Sequence, residues 1–107
     1  MDIQLKRGLL EVCILKVLSI HDSYGYQIIK DLSKILDISE STLYPILKRL
    51  EGADCLTVYS VERNSRLRKY YKITQQGQER IRSFLDEFNE VITVYQFIKG
   101  ENIYDKK

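Results

Sequence analysis

With 107 residues, 44% of them apolar and 30% charged, the chain has material for one hydrophobic core, and its composition reads as globular, not disordered. A net charge of only +2 argues by itself neither for nor against a nucleic-acid partner, so the distribution of charge carries the information. Two distant cysteines and a single histidine, Cys13, Cys55 and His21, lack metal-ligand spacing, and such sparse thiols suit a reducing cytoplasm.

Residues 8–20 are apolar at nine of the twelve positions from Leu9 on, which predicts a helix buried in the core with Cys13 as a packed thiol. The run is about half the length of a membrane span and contains Glu11 and Lys16, so a buried helix is the better reading. The N-terminal residues do not read as a secretory signal. His21-Asp22-Ser23 breaks the run, with His21 as a surface residue and Ser23 as the candidate N-cap of the next helix. Residues 24–36 place Ile28, Ile29, Leu32, Ile35 and Leu36 on one face, with Lys30, Asp31 and Lys34 opposite. Asp37-Ile38-Ser39 reads as a short turn, with Ser39 as the candidate cap of a third helix. Residues 40–52 repeat the amphipathic pattern with Leu43, Ile46, Leu47 and Leu50. Pro45 on its own would favour a helix starting there. The apolar spacing back to Leu43 favours the earlier start with a local kink.

The period then changes. Leu56 to Val61 and Leu67 to Thr74 are rich in β-branched and aromatic residues, and Arg63-Asn64-Ser65-Arg66 between them reads as a turn with Asn64 at positive φ. Thr74 is the candidate cap of a last helix from about Gln75 to Ile98, which ends in a polar tail, Lys99 to Lys107. Its stripe of Ile81, Phe84, Leu85, Phe88, Val91, Ile92 and Tyr95 must cover something. A helix of that length spans roughly 36 Å, more than a small core can use. The stripe therefore predicts a homodimer interface, with Leu9 and Val12 contributing.

The predicted architecture is mainly α with a small β-hairpin: a winged helix-turn-helix over 1–74 and a long C-terminal dimerisation helix with its tail over 75–107. In such a module the third helix enters the major groove and the hairpin reaches neighbouring phosphates. With the core face of that helix occupied, Ser41, Thr42, Tyr44 and Pro45 are left outward, with Lys48 one turn on, as candidate DNA contacts. Residues 62–72 hold Arg63, Arg66, Arg68, Lys69 and Lys72 against Glu62 alone, a local +4 on a body that otherwise sums to −2. Such a stripe is the footprint of phosphate contact, with Arg63, Arg66, Arg68 and Lys69 as its candidates. Tyr24, Tyr26, Tyr70 and Tyr71 also read simply as core or interface aromatics, Tyr71 foremost because it shares alternation with Ile73. No metal cluster, phosphate loop or nucleophile–base pair supports an enzyme or a cofactor. A winged helix used as a protein-interaction module is the competing reading, and the basic hairpin speaks against it.

Three stretches resemble the signature of PadR-type transcriptional regulators. They are Tyr24-Gly25-Tyr26-Gln27-Ile28, the run Ser41-Thr42-Leu43-Tyr44-Pro45-Ile46-Leu47-Lys48-Arg49-Leu50-Glu51, and Arg68-Lys69-Tyr70-Tyr71-Lys72-Ile73-Thr74 with Gly77. The resemblance covers roughly residues 5–98 and is closest to the compact subgroup with one C-terminal helix. It implies a cytoplasmic homodimer built on the last helix, double-stranded DNA as partner, and repression of nearby genes. It also implies a small aromatic effector near the dimer interface, which no residue identifies. Two positions depart from the pattern: Asp54 stands where the family commonly has Gly, and Ser65 replaces a common wing Gly.

Overall fold

The computed structural model describes residues 1–101; the polar tail expected from Lys99 lies outside the described residues from Asn102 onward. Four helices and one hairpin run in the order α1 (Ile3–Ile20), α2 (Gly25–Leu32), α3 (Glu40–Gly52), β1 (Leu56–Arg63), β2 (Arg66–Ile73) and α4 (Gln75–Ile98). This is a winged helix-turn-helix with a long C-terminal helix, the class predicted from the sequence.

The apolar run correctly marks α1, but the helix begins at Ile3 rather than near residue 8. Its start is set by Asp2, whose carboxylate accepts from the backbone N–H groups of Gln4 and Leu5 at 3.1 and 3.2 Å. Leu10, Ile14, Leu15 and Leu18 are buried, and Cys13 is only half-buried against them. Cys55 is the fully buried thiol, and both cysteines are free.

Helix α2 differs most from expectation. It ends at Leu32, not near residue 36, and residues 33–39 connect it to α3 instead of a short turn. Ser33 turns its hydroxyl back onto the Lys30 carbonyl at 2.7 Å and the chain tightens, with the Ile35 N–H bonding the Leu32 carbonyl at 2.8 Å. Leu36 and Ile38 still pack on the core, while Ile35 is left exposed. Ser23 does not cap α2. Its backbone forms a bridge to Tyr71, its buried hydroxyl has no hydrogen-bond partner among the described residues, and Tyr24 occupies the cap position. The Ser39 hydroxyl likewise caps no backbone group; it bonds the hydroxyls of Ser41 and Thr42 at 2.9 and 3.2 Å.

Helix α3 runs through Pro45 from the earlier start, because Leu43, Ile46, Leu47 and Leu50 are all buried and hold both sides of the proline. It closes in a Schellman turn: Cys55 N–H bonds the Leu50 carbonyl at 2.9 Å and Asp54 N–H the Glu51 carbonyl at 3.0 Å. Asp54 takes the left-handed position at φ 61°, so the aspartate keeps the turn a glycine would make. The hairpin pairs Arg63 with Arg66 across a two-residue turn. Asn64 and Ser65 both have positive φ, 52° and 64°, the type I′ geometry that matches strand twist. Leu56, Val58, Tyr71 and Ile73 share the face turned to the core. Thr74 caps α4 as expected, accepting from Gly77 N–H at 3.1 Å.

A single core gathers residues from α1, α2, α3 and the base of the hairpin. Helix α4 joins it only through its first turns: Gly77 is its one buried residue and Ile81 packs against the core edge. The described chain is accordingly elongated, 64 × 26 × 21 Å.

Candidate nucleic-acid interface

The exposed side of α3 separates two grooves, and the predicted contact residues divide between them. Tyr44 faces a groove of about 800 Å³ that it shares with Tyr24, Gly25, Tyr26 and Tyr71 and with Arg63, Arg66, Arg68 and Lys69 of the hairpin. Ser41, Thr42 and Pro45 face a smaller groove of about 310 Å³, closed on its far side by Ile3, Lys6 and Arg7 of α1. Lys48 is exposed on α3 between turns and lines neither. All nine predicted contacts are exposed.

Tyr44 is placed by Gly25. A Cβ at Gly25 would fall on the Tyr44 hydroxyl and ring carbon, so the phenol lies directly over the first residue of α2 and remains 43% exposed. The atoms in the way belong to the outer end of an exposed side chain, so the glycine sets where the phenol rests, and a side chain at position 25 would push the ring aside.

The hairpin is tied to the body by a chain of aromatic contacts. Arg68 sits 4.1 Å over the Tyr24 ring. Tyr24 meets Tyr70 edge-on at 5.4 Å, and Tyr70 stacks on Tyr59 at 5.6 Å. Tyr59 then donates to Asp22 Oδ2 at 2.6 Å. That hydrogen bond is the main reason the Tyr59 phenol titrates above its ordinary value. The Tyr71 phenol is also raised, chiefly by burial and then by Tyr44 and Glu51. Strand alternation puts Arg63, Arg66, Arg68 and Lys72 on one face of the hairpin, with Tyr59 and Tyr70, and Lys69 on the other. Of the four tyrosines read as core or interface aromatics, Tyr71, the one favoured for packing, is buried; Tyr24 and Tyr70 are half-buried, and Tyr26 is exposed.

Several groups at this surface go beyond the sequence reading. Lys6 and Arg7 bring cationic side chains to the groove beside Ser41; their adjacency just before the apolar run is the available signal. Asp22 and Tyr59 give no signal, since their contact joins residues 37 apart. Arg49, on the face of α3 turned to α1, bonds the Glu11 carboxylate, which also takes Arg80 of α4.

Helices α1 and α4 flank a further groove of about 740 Å³, lined by Leu5, Val12, Phe84, Phe88 and Val91 together with Glu11, Cys55 and Arg80. Of the predicted dimer residues, Ile81, Phe84 and Phe88 are half-buried, whereas Leu85, Val91, Ile92 and Tyr95 are 41–57% exposed. Among the described residues no cluster of His, Cys, Asp and Glu could hold a metal ion, and no helix is long and apolar enough to cross a membrane.

Residues 14–83 match the model of the transcriptional regulator PadR-like family. Among solved structures, smu.1704 of Streptococcus mutans UA159 is 41% identical, with a TM-score of 0.77 over 89% of this chain and 91% of that one. A PadR-like transcription factor from Bacteroides fragilis is 34% identical, with a TM-score of 0.80 over 89% of this chain and 94% of that one. Bacillus subtilis PadR, solved in complex with operator DNA, shares the fold at 23% identity, with a TM-score of 0.67 over 71% of this chain and 46% of that one. With most of its length inside the family model and its helix-turn-helix and wing in place, the chain belongs to the PadR-like family of transcriptional regulators.

Proposed function

We propose that this protein is a sequence-specific DNA-binding repressor that works in the cytoplasm as a homodimer on a pseudo-palindromic operator. The observation that carries the reading is the groove in which Tyr44 of α3 faces four of the five basic residues of the wing. In this reading α3 enters the major groove with Ser41, Thr42, Tyr44, Pro45 and Lys48 toward the bases and adjacent phosphates. Arg63, Arg66, Arg68 and Lys69 take the flanking backbone, with Lys6 and Arg7 adding charge on the other flank. The operator complex of Bacillus subtilis PadR supports the same use of the fold.

The exposed stripe on α4 supports the dimer. Leu85, Val91, Ile92 and Tyr95, continued from Ile81, Phe84 and Phe88, form an apolar band that a two-fold mate with the same band would cover. Residues 1–74 then read DNA and 75–107 assemble the dimer. The apolar groove between α1 and α4 has the size and lining for a small aromatic effector.

The test is selection from a random duplex pool, then titration of the enriched sequence at several salt concentrations. The expected result is a motif with two related half-sites and affinity that falls steeply with salt. Enrichment of no motif would overturn the reading in favour of an interaction module without its own operator. A reporter carrying the motif should fall, not rise, when the protein is supplied.

A further inference from the structure

We propose that Glu11 is a positioning residue that fixes the angle between the DNA-reading helix α3 and the dimer-forming helix α4, and through that angle the spacing of half-sites the protein accepts. The inference rests on the function proposed above.

Glu11 stands on α1, between the other two helices, and is 8% exposed. Its two oxygens are used separately: Oε2 accepts from Arg49 Nη2 of α3 at 3.0 Å, and Oε1 from Arg80 Nη2 of α4 at 2.8 Å. The arginine side chains are 46% and 42% exposed, the carboxylate side chain 11%. Burial thus weighs on the one anion, which two charge-assisted hydrogen bonds offset. A bridge of this kind adds little net stability over an apolar replacement, but it demands a particular geometry of all three elements.

The rest of the α3–α4 connection lies at a single place. Thr74 donates to the Asp54 carbonyl at 2.6 Å and Gln76 to the Ala53 carbonyl at 3.1 Å, so both bonds join the start of α4 to the end of α3. Beyond that point α4 lies along α1, with Ile81 at the core edge and Phe84 and Phe88 half-buried beside Leu5 and Val12, and these apolar contacts do not reach α3. Arg80, more than a turn further along α4, supplies the link that does: Glu11 passes it to Arg49 on α3, and its other nitrogen lies 3.8 Å from Cys55 Sγ just past the end of α3. A swing of about 10° at the base would carry the far end of a 24-residue helix roughly 6 Å, at about 1.5 Å per residue. On DNA that distance is about two base pairs, at roughly 3.4 Å each. In a dimer joined through α4, the second reading helix would be displaced accordingly.

The experiment uses the full chain and the sequence selected by the wild type, remade with zero, one or two base pairs added to or removed from the central spacer. The wild type should prefer one spacer sharply. Glu11→Gln should lose about tenfold on that spacer and discriminate little among the rest, with sedimentation as a dimer and affinity for a single half-site both unchanged. Arg80→Gln, which leaves Glu11 paired with Arg49 and so keeps the anion compensated, should flatten the spacer profile in the same way. It decides the matter if Glu11→Gln fails to fold. A flattened profile in a stable dimer supports the proposal. A wild-type profile in Arg80→Gln, or equal loss on every spacer and on the half-site, overturns it while leaving the functional reading intact. A wild type that selects no operator overturns both.

Discussion

The Tyr59 hydroxyl and the Asp22 carboxylate meet at 2.6 Å, joining the wing's first strand to the turn ahead of α2. Because the bond needs the phenol proton, it raises the Tyr59 pKa, and that direction sets the sign of the linkage. The contribution is fully present below the ordinary tyrosine value and is lost as pH climbs through the raised one. Wing anchoring should therefore be constant across neutral pH and weaken only in strong alkali. Absorbance titration should show late-ionising phenols that include Tyr59 and Tyr71, and Tyr59→Phe should remove one of them. An unchanged late fraction in that variant would deny the hydrogen bond.

Gly25 and Tyr44 form a pair in which one side chain occupies the space the other lacks. On helix propensity alone Gly25→Ala should stabilise by up to about 1 kcal/mol. The clash with Tyr44 falls on the outer end of a side chain that is 43% exposed and can swing aside, so it should cancel much of that gain and leave thermal or denaturant unfolding within about 1 kcal/mol of the wild type. Combining Gly25→Ala with Tyr44→Ala should release the propensity gain, a coupling read from a double-mutant cycle. Additive effects would mean that the ring does not rest on Gly25.

For the wing, Arg66→Ala with Arg68→Ala should weaken binding to all duplexes and lower the slope of log K against log salt by about 2. Tyr24→Leu should reproduce part of the affinity loss without changing formal charge, since Arg68 would lose the ring that holds it. A double mutant with the wild-type salt slope would remove these arginines from the interface.

On α4, Phe88 is half-buried and Ile92 is 41% exposed, one turn further out along the same stripe. Phe88→Asp with Ile92→Asp should yield a monomer or an unstable chain, and tight operator binding should be lost in either case. Sedimentation of that variant as a stable dimer with unaltered operator affinity would place the dimer contact elsewhere.

The features legible in the sequence are local ones. Thr74, Asp54 and the Asn64-Ser65 turn act through backbone groups a few residues away, so residue type and spacing are enough to place them. The extent of α3 is legible for the same reason, its apolar period outweighing Pro45. Ser23 is not the cap its residue type suggests, because a long-range partner, Tyr71, claims its backbone and takes the chain away from capping geometry. Helix α2 stops short of its apolar pattern because Leu36 and Ile38 reach the core from irregular backbone, which imitates helical spacing. In the candidate site, the outward residues of α3 and the basic hairpin can be picked out from the sequence. Their division between two grooves depends on how α1 and the hairpin flank α3, which no periodicity encodes. Glu11 reads as a stray charge in an apolar run; its partners lie 38 and 69 residues away.

The hairpin meets the core only at its base, where Leu56, Val58, Tyr71 and Ile73 pack. Toward the tip, the four rungs from Ser60–Lys69 to Arg63–Arg66 carry only exposed side chains. Opening these rungs exposes no core, so their amide protons should exchange through local fraying, well before global unfolding releases those near Val58. A phosphate backbone laid along the wing would quench that fraying. Association would then carry an ordering entropy that a rigid wing would not, and lengthening the ladder or replacing Ser65 with glycine to ease its positive φ should shift the thermodynamics of binding as well as the stability of the free protein.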